Sequence, residues 1–141
     1  MANSTTLYVG ADGRTQVDVT ENKTLTAADS GIVQNVITDG ITITLPATAA
    51  NLSYIIRNGG VPASSGVGMG TGSDFSCLVT VAPNASDGIT GLAFTAATNK
   101  AALNTKATAR VGDQIHLLGS GTTGVTGWQV VSAKGVWARA A

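Results

Sequence analysis

The sequence predicts an all-β protein: a single-domain β-sandwich or jelly roll with short antiparallel strands and a long Gly/Ser-rich loop. Three observations carry that expectation. Apolar and polar residues alternate over short runs such as Ile41-Thr-Ile-Thr-Leu45, which puts every second side chain on one face of a pleated strand. Turn signals (Gly, Asp-Gly, Pro) recur about every eight to twelve residues, the spacing of sandwiches and barrels. The composition, with 18 Gly, only 4% aromatic residues and 11% charged ones, suits many thin strands joined by tight turns.

The elements follow in chain order. Residues 1–14 read as an N-terminal arm or edge strand around Leu7-Tyr8-Val9, and residues 15–141 as the sandwich or jelly-roll domain. Val17 and Val19 alternate in phase before the polar turn Glu21-Asn22-Lys23. Leu25 to Gly31 reads as a strand turning at Asp29-Ser30-Gly31 into Ile32–Ile37. Asp39-Gly40 is a hairpin signal, because Gly tolerates the positive φ such turns require. Pro46 stops the strand Ile41–Leu45, since it has no N–H to give a ladder. Leu52–Arg57 is a further strand. The stretch 59–74, rich in Gly and Ser, reads as a long loop of the kind that is functional or disordered. Phe75–Ala82 resumes as a strand and ends at Pro83, and Asp87-Gly88 marks a second turn. Residues 91–103 leave a short helical turn and an irregular strand both open. Gln114–Leu118 and Trp128–Val131 are strands joined by the glycine-rich turn 119–127.

The totals exclude several functions. Net charge is +0 and the eight basic residues are scattered, so no basic stripe exists to neutralise phosphates, and no nucleic-acid partner is expected. No apolar run approaches the roughly 18 residues of a membrane span. The N-terminus has neither the charged nor the apolar region of a secretory signal, so synthesis in the cytosol is expected. The single cysteine, Cys77, rules out an intrachain disulfide and reads as a buried, inert thiol.

Nothing in the chain assembles a reactive centre, so no catalytic, cofactor or metal residue is assigned. His116 is the lone histidine, on the strand face opposite Ile115 and Leu117, without a second ligand or an orienting pair in view. Gly119-Ser-Gly-Thr-Thr-Gly124 matches a dinucleotide fingerprint in letters, but a strand follows where that motif needs a helix. The eight acidic residues stand singly, mostly at turns, where Asp bonds local backbone groups. Trp128, beside Gln129-Val-Val131, reads as core; Trp137 reads as core edge or subunit contact.

Taken in order, the runs Leu25-Thr-Ala-Ala-Asp-Ser-Gly31, Ile41-Thr-Ile-Thr-Leu-Pro46, Leu52-Ser-Tyr54, Val79-Thr-Val-Ala-Pro83, Gly112-Asp-Gln-Ile-His-Leu117 and Gly127-Trp-Gln-Val130 resemble tailed-bacteriophage capsid decoration (cement) proteins and related head-fibre β domains. The likeness covers most of residues 25–131. It implies a small β-sandwich or jelly-roll protein, a homodimer or homotrimer, that sits on the outside of an icosahedral virion. There it would bridge neighbouring major capsid protein subunits and catalyse no reaction. Residues 1–20 and the loop 59–74 lie outside the likeness, so it transfers no capsid contact to a named position. Because termini are free to reach neighbours, partner contacts are expected at Leu7, Tyr8 and Val9 and at Trp137 and Arg139. The alternative is a tail-fibre or carbohydrate/receptor-binding module, suggested by Trp137, Tyr8, Tyr54 and the long loop.

Overall fold

A computed structural model describes residues 3–10, 12–61, 75–92 and 94–141. The bulk of the Gly/Ser-rich loop, 62–74, lies outside the described residues. The remainder is all-β: two mixed sheets enclose one apolar core, the architecture of a sandwich.

Twelve strands are described: β1 (Tyr8–Val9), β2 (Thr15–Val19), β3 (Lys23–Thr24), β4 (Val33–Val36), β5 (Ile41–Thr44), β6 (Ser53–Asn58), β7 (Val79–Ala82), β8 (Ile89–Thr90), β9 (Ala102–Asn104), β10 (Gln114–Gly119), β11 (Trp128–Lys134) and β12 (Ala138–Arg139). The larger sheet runs β1-β2-β4-β6-β10-β11-β8, the smaller β12-β9-β7-β5-β3. Residues 91–103 contribute no helix among those described; their C-terminal end enters β9.

The sandwich is as the sequence predicts, but its strands are not all antiparallel: the pairing corrects that part of the expectation. β2, β4 and β6 are mutually parallel in the larger sheet, and β3, β5 and β7 are parallel in the smaller. The chain alternates between the sheets, so it winds through three successive coils in the manner of a β-solenoid. No repeat is legible in the sequence because the coils differ in length: Gln16, Val33 and Ile55 stand side by side although their spacing is uneven. After the third coil most pairs are antiparallel, with β10 joining β6, β11 joining β10 and β9 joining β7, while the short β8 joins β11 in parallel.

Two local readings change with this topology. Gly40 has the positive φ, 79°, that its turn needs. The turn nevertheless carries the chain from β4 in one sheet to β5 in the other rather than folding it into a hairpin. Asp39 is engaged at long range, its carboxylate accepting the Leu78 amide at 2.8 Å and pairing with Lys106 at 2.8 Å. Likewise Ala27–Asp29 forms a single 3-10 turn, with Asp29 reaching back to accept the Thr26 amide at 2.9 Å.

The core draws Val19, Val36, Ile56, Ile115 and Leu117 from the larger sheet and Ile41, Ile43, Val79 and Val81 from the smaller. Tyr54 and Trp128, both fully buried, meet with ring centroids 5.5 Å apart at 45°. Cys77 is buried, and burial pushes its thiol up to about 11, consistent with an inert packing residue.

Polar side chains fasten the ends of this core. Asn58, Asn104 and Asp113 form a buried chain of hydrogen bonds, and Gly135 packs on it so closely that an added Cβ would lie 2.2 Å from the Asp113 carboxyl carbon. Asp87, also buried, accepts the Thr48 amide at 3.0 Å and the Gly124 amide at 3.2 Å. Both sheets end in two-residue strands, β1 and β8 in one and β12 and β3 in the other. Edges this short give another chain little to pair with, which protects against open-ended stacking.

Candidate functional site

The sequence-named contact residues separate in the fold. Leu7, Tyr8 and Val9 stand consecutively on and beside the edge strand β1, and are 52%, 41% and 69% exposed. Trp137 is only 8% exposed: it belongs to the core, and its indole N–H donates to the Lys134 carbonyl at 3.0 Å. Arg139 is half-buried on β12, an edge of the other sheet. Of the aromatics that suggested glycan stacking, Tyr54 is fully buried and Trp137 nearly so, leaving Tyr8.

Tyr8 is fixed from the neighbouring strands. Its hydroxyl donates to Asp18 Oδ1 at 2.6 Å and accepts from Gln16 Nε2 at 2.6 Å. Asp18 also accepts from Asn35 at 3.0 Å, and Gln16 accepts from Arg57 at 3.2 Å. Arg57 in turn holds Asp12, at the tip of the β1–β2 hairpin. The Asp18 carboxylate, by accepting the phenol proton, raises the Tyr8 pKa. The Arg14 amide first, and then Arg57, hold the Asp12 carboxyl below its usual range. The result is a polar ladder across three parallel strands that sequence reading did not anticipate. It depends on which strands become neighbours.

The same face carries His116, in register with Ile55 on one side and Ser132 on the other. His116 Nε2 lies 2.8 Å from Ser53 Oγ. A nucleophilic triad would need a carboxylate to orient the ring. Here Asp12 is held by Arg57, and Asp18 by Tyr8 and Asn35. Desolvation, and after it the charge of Arg14, lowers the His116 pKa from its usual 6.5. Unfolding therefore releases a histidine that binds protons more readily than the folded one. Stability should be flat above pH ~6.5 and should fall as pH drops from there toward the lower folded-state value. Urea titrations between pH ~5 and ~8 check this: His116→Gln should remove most of the slope, and an unchanged slope would assign it to other groups.

A cavity of about 340 Å³ lies beside β1, between residues 3–7 and the first coil. The segment is pinned at Asn3, whose Oδ1 accepts the Thr20 amide at 2.7 Å and the Glu21 amide at 3.0 Å, and at Tyr8, paired with Gln16 on β2. Leu7, Val17 and Ile32 supply its apolar surface, and Ser4 and Thr5 supply hydroxyls. Lys23 and Asp29 also line it, their charged atoms 3.6 Å apart. No local motif marks these residues, because they converge from the arm, the first coil and the turn beyond it.

No protein-family model, curated protein or solved structure matches the chain. Among the described residues no group of three or more His, Cys, Asp or Glu side chains is placed to hold a metal ion, and no helix is long and apolar enough to cross a membrane.

Proposed function

We propose that the chain is a non-enzymatic structural protein of a phage virion that attaches to the outside of an icosahedral capsid and cements neighbouring major capsid subunits. The observation that carries the reading is the exposed run Leu7-Tyr8-Val9 on an edge strand whose neighbours are fixed by the Tyr8–Asp18–Asn35 and Gln16–Arg57 bonds. A rigid body presenting an apolar strip suits attachment, and a low-charge surface suits broad contact. A standard interface needs about 800 Å² per partner, more than three side chains provide, so the strip would anchor a larger footprint. Assembly as a homodimer or homotrimer multiplies the attachment, because each added site acts at high effective concentration. The resemblance to decoration proteins supports the same reading. It carries with it synthesis in the host cytoplasm and residence on the capsid exterior.

The test is co-sedimentation with undecorated, expanded capsids. Deleting residues 2–10 should abolish or strongly weaken binding. Because the deletion also removes β1, the double variant Leu7→Ser, Val9→Ser provides a second measurement on a chain that keeps its strand pairing. Roughly tenfold weaker binding is expected, as for losing about 1–2 kcal/mol of apolar contact. Wild-type affinity in both variants would remove the arm from the interface, and failure of the wild type to bind would remove the capsid reading.

A second reading, a tail-fibre or receptor-binding module, is favoured by the cavity beside β1. Binding of the protein to bacterial cells without capsid affinity would select it.

A further inference from the structure

We propose that the cavity between residues 3–7 and the first coil is a saccharide site, taking one pyranose ring or the terminal sugar of a glycan. The inference rests on the receptor-binding reading and does not depend on capsid attachment.

Three features of the cavity select that ligand class. The first is how it is held open. Asn3 is tied to the backbone of Thr20 and Glu21, and β1 is paired with β2, so the intervening Ser4, Thr5 and Leu7 are suspended between two anchors. A volume of about 340 Å³ falls at the small end of ligand pockets, roughly 300–1,000 Å³, which fits one or two sugar rings.

The second feature is the apolar surface of Leu7, Val17 and Ile32, which can cover the C–H face of a pyranose. The third is the pair Lys23 and Asp29, a donor and an acceptor 3.6 Å apart. Adjacent sugar hydroxyls match such a pair, because one oxygen accepts from the ammonium while its neighbour donates to the carboxylate. Both groups are placed before a ligand arrives: Lys23 Nζ donates to Gln34 Oε1 at 2.7 Å, and Asp29 accepts the Thr26 amide at 2.9 Å. Such preorganisation reduces the ordering cost of binding. A simple anion would meet the Asp29 carboxylate and a simple cation the Lys23 ammonium, so the pair favours a neutral polyol. A zwitterion is the one charged class it could also accept.

Saturation-transfer NMR on the full chain tests the proposal, using the methyl glycosides of glucose, galactose, mannose and N-acetylglucosamine, with glycyl-leucine as the zwitterion. Transfer to ring C–H protons is expected, with a Kd of roughly 1 mM for a lone sugar. Ile32→Trp, which fills the cavity, should abolish transfer. Lys23→Met, which keeps the aliphatic stem, should weaken binding roughly tenfold or more, and it decides the matter if Ile32→Trp does not fold. Absence of transfer from every glycoside, transfer unchanged in the variants, or transfer from the dipeptide alone would each overturn the assignment. Adsorption of labelled protein to bacterial cells separates the two levels. Adsorption with no glycoside binding rejects this cavity as a sugar site and keeps the receptor reading, whereas loss of both rejects both.

Discussion

Asn58→Leu is expected to destabilise the protein by about 4 kcal/mol or more, and it should do so although leucine matches asparagine in size and suits a buried site. Asn58 is fully buried and uses its whole amide. Its Nδ2 donates to the Cys77 carbonyl and to Asn104 Oδ1, each at 2.7 Å, while its Oδ1 accepts the Cys77 amide at 2.9 Å and the Gly60 amide at 3.3 Å. Leucine would strand four partners at once, each left without the water it had in the unfolded chain. A buried unsatisfied group costs about 1–3 kcal/mol, which outweighs the gain from burying a few methyl groups. Urea unfolding should show a lower midpoint with the slope preserved. A loss under about 1 kcal/mol would mean that water or a shifted Asn104 takes over these bonds. Asn104→Leu should be non-additive with it, since the two share one chain of bonds running on to Asp113.

Trp128→Ala should cost about 4 kcal/mol, the usual range for emptying a large aromatic site in a core. Trp128→Phe should cost much less than its lost volume suggests. The Trp128 indole N–H is buried with no partner among the described residues, so wild type already carries an unmet donor that phenylalanine removes. Tyr54→Phe, on the other ring of the pair, goes the opposite way. The Tyr54 hydroxyl donates to the Thr26 carbonyl at 2.7 Å, and losing it removes one of that carbonyl's two bonds, the other coming from the Asp29 amide at 3.0 Å. Thermal or urea unfolding of the three variants should therefore place Trp128→Ala far below the rest. Trp128→Phe as damaging as Trp128→Ala would show that ring volume alone governs the site.

These outcomes bear on function through rigidity. Asn58 ends β6, the strand flanked by β4 and β10, and Arg57 beside it anchors the ladder that fixes Tyr8. Attachment through Leu7-Tyr8-Val9 and sugar binding beside β1 both depend on that edge being held in place. A destabilised Asn58 variant should lose binding only in proportion to its unfolded fraction. A variant of the strip or of Lys23 should lose binding while folded.

What the sequence determined by itself was the class of fold and the facing of most strands, because a period of two is a local property of the backbone. Ile41, Ile43 and Leu45 are buried together, Ile115 and Leu117 point inward with His116 turned out, and Trp128 and Cys77 are core, as their alternation implied. The tertiary structure decided which strands became neighbours. Alternation fixes faces but says nothing of partners, so the same runs fit antiparallel strands and a hairpin at Asp39-Gly40 as well as they fit the parallel coils of unequal length and the crossing that form. Trp137 shows the same limit: the sequence leaves core edge and subunit contact both open for it, and the core and the Lys134 carbonyl take it in. The ladder behind Tyr8 and the cavity beside it assemble residues with no local signature. They exist because winding a chain between two sheets places Asn3 beside Thr20, Lys23 beside Asp29, and Arg57 within reach of Gln16.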